Sequence, residues 1–160
     1  HLLMQYVRFD RCENAEQICQ QIDEFVSQGI LTPQQAQILD PHAIAALFRT
    51  ETGRKLVDAG EVLREFKFSI LDEGESYGAA LSGEKVLLQG VVDCAIMEEE
   101  GIIVLDFKTD RVTDENLDLR VSHYRPQVEA YAQALSRIYE MPVKGSYLYF
   151  FRLNRFELVE

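Results

Sequence analysis

The sequence predicts a mixed α/β sheet flanked by helices, with a helical N-terminal third. Three observations carry this. Residues 1–60 repeat helix start and stop signals. From residue 62 the apolar pattern changes from helical spacing to period two. The segment between two apolar runs, 102–107 and 143–152, holds a helix pattern and has the length of a right-handed parallel crossover.

Asn14 can cap a helix running to Gln28, with Ile18, Ile22, Phe25 and Val26 on one face and Gly29 at the stop. Thr32-Pro33-Gln34-Gln35 combines a cap, a proline in the first turn and a glutamine at the third position. Asp40-Pro41 repeats that signal and opens a helix over 43–49, and a short helix over 54–59 ends at Gly60. Residues 62–71 read as a strand and 72–76 as an acidic turn. Residues 85–97 and 102–107 form a hairpin around Glu98-Glu99-Glu100-Gly101. Residues 109–124 are polar and charged and read as a loop, with a short turn near 114–117. Pro126 opens a helix through Tyr139, with Val128, Tyr131, Ala132, Leu135 and Ile138 apolar. An aromatic-rich strand over 143–152 and a last one over 156–159 close the pattern.

The hairpin carries the chemistry. Strand side chains alternate faces, so Asp106 and Lys108 point one way and Phe107 the other. An antiparallel return of this length places Asp93 next to Asp106. Both acids interrupt apolar runs, where an unpaired charge is costly. A hard divalent cation such as Mg²⁺ offsets that cost, since it prefers carboxylate oxygens and keeps several waters. A lysine beside it can orient or deprotonate one of those waters. These residues are the equipment of a metal-dependent phosphodiesterase, against the alternative of a structural ion pair.

Other residues are less specific. Gln127 and Tyr131 lie four apart on a helix and share a face, Gln127 in an exposed first turn. Tyr131 alone reads more readily as a core aromatic. On spacing, Glu65 is an edge charge paired with Arg64 or Lys67. His1 is a lone terminal histidine. His123 and Arg125 suit phosphate contacts but read better as a solvated loop.

With 160 residues the chain suffices for one domain with a real core. No apolar run of about 18 residues suggests a membrane span, and no basic-then-apolar start suggests a signal peptide. The opening His1-Leu2-Leu3-Met4 falls in mid-pattern, as expected of a piece of something longer. Cys12, Cys19 and Cys94 are odd in number and lack close paired spacing. That argues against a disulfide framework and a four-cysteine zinc or iron–sulfur site, and for reduced cysteines in a cytoplasmic protein. The net charge of −11 is awkward for a nucleic-acid enzyme. Residues 120–155, however, hold six basic residues (Arg120, Arg125, Arg137, Lys144, Arg152, Arg155) against the two acids Glu129 and Glu140.

Gly90-Val91-Val92-Asp93, then Asp106-Phe107-Lys108-Thr109-Asp110-Arg111, then Tyr124-Arg125-Pro126-Gln127 with Tyr131, resemble the RecB-type branch of the PD-(D/E)xK nucleases. Within it, they are most similar to the C-terminal nuclease domain of AddA-type subunits of bacterial AddAB helicase–nucleases. The likeness spans essentially the whole chain. It implies a restriction-endonuclease-like sheet and a single nuclease domain over residues 1–160, cut from a longer helicase–nuclease. It implies that Asp93 and Asp106 bind metal, that Lys108 is the catalytic lysine, and that Gln127 and Tyr131 form the Q-x-x-x-Y motif. It also raises His1, which matches the place of a metal-binding histidine, and Glu65, which matches a glutamate in an Arg-Glu-x-Pro-Phe-like stretch. The chain departs from that pattern at Val92, in place of the family's proline, and at Lys67, where proline is common. The Gly-Thr that precedes the histidine is absent.

The implied protein is a Mg²⁺- or Mn²⁺-dependent deoxyribonuclease, an exonuclease acting in double-strand-break repair and recombination. His1, Asp93, Asp106 and the Phe107 carbonyl would hold the ion. The partners would be DNA, chiefly single strands, and an AddB-type subunit, with products carrying 5′-phosphate and 3′-hydroxyl ends. ATP would belong to the helicase part, since no Gly-x-x-x-x-Gly-Lys-[Ser/Thr] loop occurs here. The rival expectation is a non-catalytic nuclease-fold module that binds DNA or a partner subunit, which the acidic charge favours.

Overall fold

The computed structural model describes residues 1–159. Its helices are α1 (Leu2–Tyr6), α2 (Ala15–Ser27), α3 (Pro33–Gln37), α4 (Pro41–Arg49), α5 (Glu51–Asp58) and α6 (Leu117–Tyr139). Its strands are β1 (Glu61–Glu73), β2 (Lys85–Glu98), β3 (Gly101–Lys108), β4 (Val143–Phe150) and β5 (Arg155–Leu158), in that order across one sheet. β1, β2 and β3 form an antiparallel meander. β3 and β4 run parallel, joined through α6, and β5 returns antiparallel to β4. This is the α/β architecture expected of the sequence: a mixed sheet with helices against it.

The N-terminal helices start where side chains can satisfy free backbone N–H groups. Asn14 accepts from the Gln17 amide, and Asp40 from those of His42 and Ala43. Thr32 and Gln35 form a reciprocal capping box. Thr50 caps α5 by accepting from the Gly53 amide, so that helix begins three residues before the expected residue 54. These helices pack Ile18, Ile22, Phe25, Ile44, Leu47, Phe48 and Leu56 onto one face of the sheet, with Cys94, Ile96, Ile103, Leu105 and Phe107. α6 covers the other face, with Ala134 and Leu135 against Val92, Ala95, Ile102 and Val104. β3 is buried along nearly its whole length, as a strand covered on both faces should be.

Two sequence expectations need correction. Residues 117–124 are helical rather than loop, and Pro126 lies inside α6 instead of opening it. An internal proline removes one helical hydrogen bond and crowds the preceding turn. The helix runs through it because Leu117 and Val121 are buried with Val112, Val128, Leu148 and Phe150. Gln127 therefore sits mid-helix, though still exposed. The acidic turn at 72–76 is instead the end of β1 followed by a short 3₁₀ turn over Gly74–Tyr77.

The alternation along β1 and β2 breaks once, at the same level in both strands. Val62 faces the N-terminal helices and Leu63 faces α6, but Phe66, Phe68 and Ile70 also face α6. Cys94 and Ile96 face the helices and Ala95 faces α6, but so does Val92. The faults fall at Glu65, with φ of 50°, and at Asp93, which stands opposite it. Backbone pairing resumes on both sides with no residue gained or lost: Arg64 pairs with Cys94 and Phe66 with Val92.

Candidate active site

Asp93 lies at that fault, where β2 also parts from β3. The β2–β3 ladder ends at the pair Cys94–Leu105, and one step further Asp93 and Asp106 come face to face. In place of a ladder carbonyl, Asp93 Oδ2 accepts the Phe107 amide at 2.9 Å. The side chain thus stitches the two strands where their backbones separate.

Asp106 is only 4 % exposed. Burial first, then hydrogen bonding with Asp93 and its negative charge, push the Asp106 carboxyl up to about 7, with Lys108 opposing. Lys108 Nζ lies 2.8 Å from Asp106 Oδ2, at an angle that leaves this buried oxygen without a hydrogen bond. Lys108 Nζ also donates to Gln127 Oε1 at 3.1 Å and sits 4.0 Å above the Tyr124 ring. The ammonium is thus held from three sides.

His1 reaches the same cleft from the N-cap of α1. Its Nε2 lies 2.5 Å from the Phe107 carbonyl oxygen and 3.7 Å from Asp93 Oδ2. The residues brought together are therefore His1, Asp93, Asp106, Phe107 and Lys108, with Gln127 on the lysine. Tyr131 stands behind them: burial, then the charges of Asp106 and Asp93, raise its phenol, while a hydrogen bond with Gln127 acts the other way. Its ring meets Phe68 edge-on at 5.9 Å, across Gly90. A Cβ on Gly90 would lie 2.9 Å from ring carbons of both Phe68 and Tyr131, so only glycine fits that approach.

Glu65 is exposed and opposite Asp93, with no ion pair to Arg64 or Lys67 among the described residues. Arg64 instead turns inward over the Phe9 ring. A glutamate at positive φ is strained, and such strain gathers at functional positions. The one contact that sequence reasoning gave no role is Tyr124. Its hydroxyl donates to Asp110 Oδ2 while its face supports Lys108. The sequence signal was present, since Tyr124 and Gln127 are three apart and share a helix face, but only if 117–124 is helical. His123 packs on Tyr124, with ring centroids 5.0 Å apart.

The donor set suits a hard divalent ion: two carboxylates, a backbone carbonyl and one imidazole. Asp106 Oδ2 is buried without a well-formed hydrogen bond, faced by the Lys108 ammonium at 2.8 Å, and a bound cation would give it a further partner. Among the described residues no three His, Cys, Asp or Glu side chains come together as a group that could hold a metal ion, so a site here would need the Phe107 carbonyl as one of its donors. Cys12 and Cys94 are buried and Cys19 exposed, and all three are free. Among the described residues no helix is long and apolar enough to cross a membrane.

The basic stretch is largely spent within the fold. Arg120 faces Asp110 at 3.9 Å, Arg137 pairs with Asp72 at 3.0 Å, and Lys144 with Glu98 at 2.6 Å. Arg155 contacts both Asp114 and Glu157.

Comparison with known proteins adds a family. The model of the PD-(D/E)XK nuclease superfamily matches residues 1–158. The chain is 34 % identical over 98 % of its length to an ATP-dependent helicase/nuclease subunit of Clostridium botulinum (strain 657 / Type Ba4), covering 12 % of that protein. It is 37 % identical over 97 % of its length to the like-named protein of Syntrophomonas wolfei, covering 13 % of it. The like-named protein of Geobacillus thermodenitrificans is 36 % identical over the whole chain, which covers 14 % of it. The chain thus spans only 12 % to 14 % of the length of these curated relatives.

Proposed function

The chain belongs to the PD-(D/E)XK nuclease superfamily, and from that membership and its acidic cleft we propose that it hydrolyses DNA phosphodiester bonds with a divalent metal ion. The observation that carries this is the convergence of His1 Nε2, Asp93 Oδ2 and the Phe107 carbonyl beside Asp106 and Lys108. His1, Asp93, Asp106 and the Phe107 oxygen would hold Mg²⁺ or Mn²⁺. When bound, the ion supplies a lowered water pKa and positive charge toward the phosphate oxygens.

The chain's own residues supply the rest. Lys108, held by Gln127 and Tyr124, orients the attacking water in line with the phosphorus and donates to it or to a non-bridging oxygen. Gln127 fixes the lysine, and Tyr131 holds Gln127 against the cleft. Glu65, opposite Asp93, would accept a hydrogen bond at the cleft's rim. Because the relatives are named helicase/nuclease subunits, we read the chain as the nuclease part of such a protein, with ATP used by the helicase part. Single-stranded DNA passed on by that motor is the substrate, an AddB-type subunit is the partner, and the setting is cytoplasmic break repair and recombination.

The test is cleavage of labelled DNA with Mg²⁺, with Mn²⁺ and with EDTA, by the chain and by its Asp106→Ala variant. Cleavage that needs the metal and Asp106 supports the reading. Metal-independent cleavage would remove the ion from the mechanism, and no cleavage even within the full helicase–nuclease would leave a nuclease-fold module that only binds.

A further inference from the structure

We propose that Arg64 is a positioning residue for the cation site, acting through the helix that carries His1. The inference rests on the reading of His1 as a metal ligand.

Arg64 is the last residue of β1 before the fault at Glu65, and it pairs with Cys94, the neighbour of Asp93. The fault turns Phe66 toward α6 and leaves Arg64 facing the N-terminal helices. There its Nη1 donates to the carbonyls of Met4 at 3.5 Å, Gln5 at 3.2 Å and Val7 at 2.6 Å. Its guanidinium carbon lies 3.8 Å from the centre of the Phe9 ring. These carbonyls belong to the carboxyl end of α1, which lacks helical partners for its last C=O groups.

α1 has five residues, too few to be stable as an isolated helix. Leu3 and Met4 anchor one side of it in the core. The cation fixes its far end and also favours the negative end of the helix dipole. The line of bonds then runs back to the site. Arg64 holds the Gln5 carbonyl, the Gln5 amide donates to the His1 carbonyl at 3.1 Å, and His1 Nε2 meets Phe107. Asp93 and His1 are thereby referred to one frame: Asp93 sits next to Arg64's pairing partner, and His1 heads the helix Arg64 clamps. The guanidinium never touches the ion. It sets the angle at which the imidazole arrives.

The experiment is Mn²⁺ titration monitored by calorimetry, with no DNA present. Arg64→Met keeps the apolar stem but loses the guanidinium donor, and should weaken Mn²⁺ binding by about tenfold, as loss of a supporting contact to a metal ligand typically does. His1→Ala should weaken it as well. The double variant should bind no more weakly than His1→Ala alone, because Arg64 acts only through that histidine. Unchanged affinity in Arg64→Met, or losses that multiply in the double variant, would overturn the proposal. If thermal melting shows that Arg64→Met does not fold, Arg64→Lys decides. It keeps a charge near Phe9, but its ammonium ends one bond short of where Nη1 meets the three carbonyls, so intermediate affinity supports the strap and full affinity refutes it. A chain that binds no Mn²⁺ at all refutes the metal reading itself, a result distinct from either.

Discussion

Lys108 on β3 donates to Gln127 on α6 at 3.1 Å, and this bond joins the buried sheet to the covering helix within the cleft. Lys108→Ala should leave Mn²⁺ affinity nearly intact while cleavage falls by at least ~10², a typical loss for a preorganised donor to the reacting atoms. Gln127→Ala should cost less, roughly tenfold, because Asp106 and Tyr124 still hold the ammonium. The double variant should be no slower than Lys108→Ala, since the glutamine acts through the lysine. Single-turnover cleavage rates decide this, and multiplicative losses would give Gln127 a separate role.

Asp106 makes stability pH-dependent in a defined direction. Its carboxyl ionises at about 7 in the fold and at an ordinary 3.8 otherwise, so between these values the folded chain keeps a proton that the unfolded chain has lost. The contribution of Asp106 to stability is therefore greatest at acid pH and declines as pH rises from about 4 to about 7. Asp106→Asn should remove that decline. At pH 8 without metal it should melt higher than the parent, by at least ~2 °C if the relief exceeds about 1 kcal/mol. Melting curves at pH 5 and pH 8 check this: the gain should be large at pH 8 and small at pH 5.

Metal binding should follow the same titration. Ligation requires the ionised carboxylate, so Mn²⁺ binding below about pH 7 must release a proton and weaken as pH falls. Calorimetry in buffers of different ionisation enthalpy counts the released protons. Asp106→Ala should abolish both the Mn²⁺-induced rise in melting temperature and the proton release.

Asp93 carries a structural duty as well. Its Oδ2 is the acceptor for the Phe107 amide inside a buried strand. Asp93→Ala leaves that amide unpaired and should cost about 1–3 kcal/mol. Asp93→Asn keeps an acceptor oxygen and should retain most of the stability while losing metal-dependent cleavage. Urea unfolding of the two variants separates the roles, and equal stability would show that water replaces the carboxylate.

The hairpin site was readable because its logic is local. Asp106 and Lys108 share parity two residues apart, and the return from the Glu98–Gly101 turn sets Asp93 opposite Asp106 whatever surrounds it. The first half of α6 was not readable in that way. Residues 117–124 are polar, and Pro126 mimics a helix start. Their helicity comes from Leu117 and Val121 meeting Leu148 and Phe150, which are distant in sequence. The fault at Glu65 did leave a trace. Apolar residues at 63, 66, 68 and 70 step by three and then by two, which a uniform strand would not do.

DNA affinity of the isolated chain should be low. Arg120, Arg137, Lys144 and Arg155 already face acids within the fold, so of the six basic residues in 120–155 only Arg125 and Arg152 lack an acid partner among the described residues, against a net charge of −11. Few phosphate contacts mean a shallow salt dependence, with a slope of roughly −0.7 per contact on single strands. Titration with a labelled oligonucleotide at two salt concentrations should give binding weaker than micromolar and a small slope. Tight, steeply salt-sensitive binding would show that the chain carries its own strong DNA site.

Tyr124, Gln127 and Tyr131 ride on one continuous helix, so their alignment with Lys108 is a matter of helical phase. Each added or lost residue turns everything beyond it by about 100° about the axis. A single-residue deletion between Tyr124 and Gln127 would leave the ring beneath the lysine but swing the glutamine and the second tyrosine out of the cleft together. Point substitutions there can be graded in effect, whereas changes of length act as a ratchet with no intermediate stop. Residues 117–124, which look like a tolerant loop on composition, are the first half of this same helix and share its intolerance of changes in length.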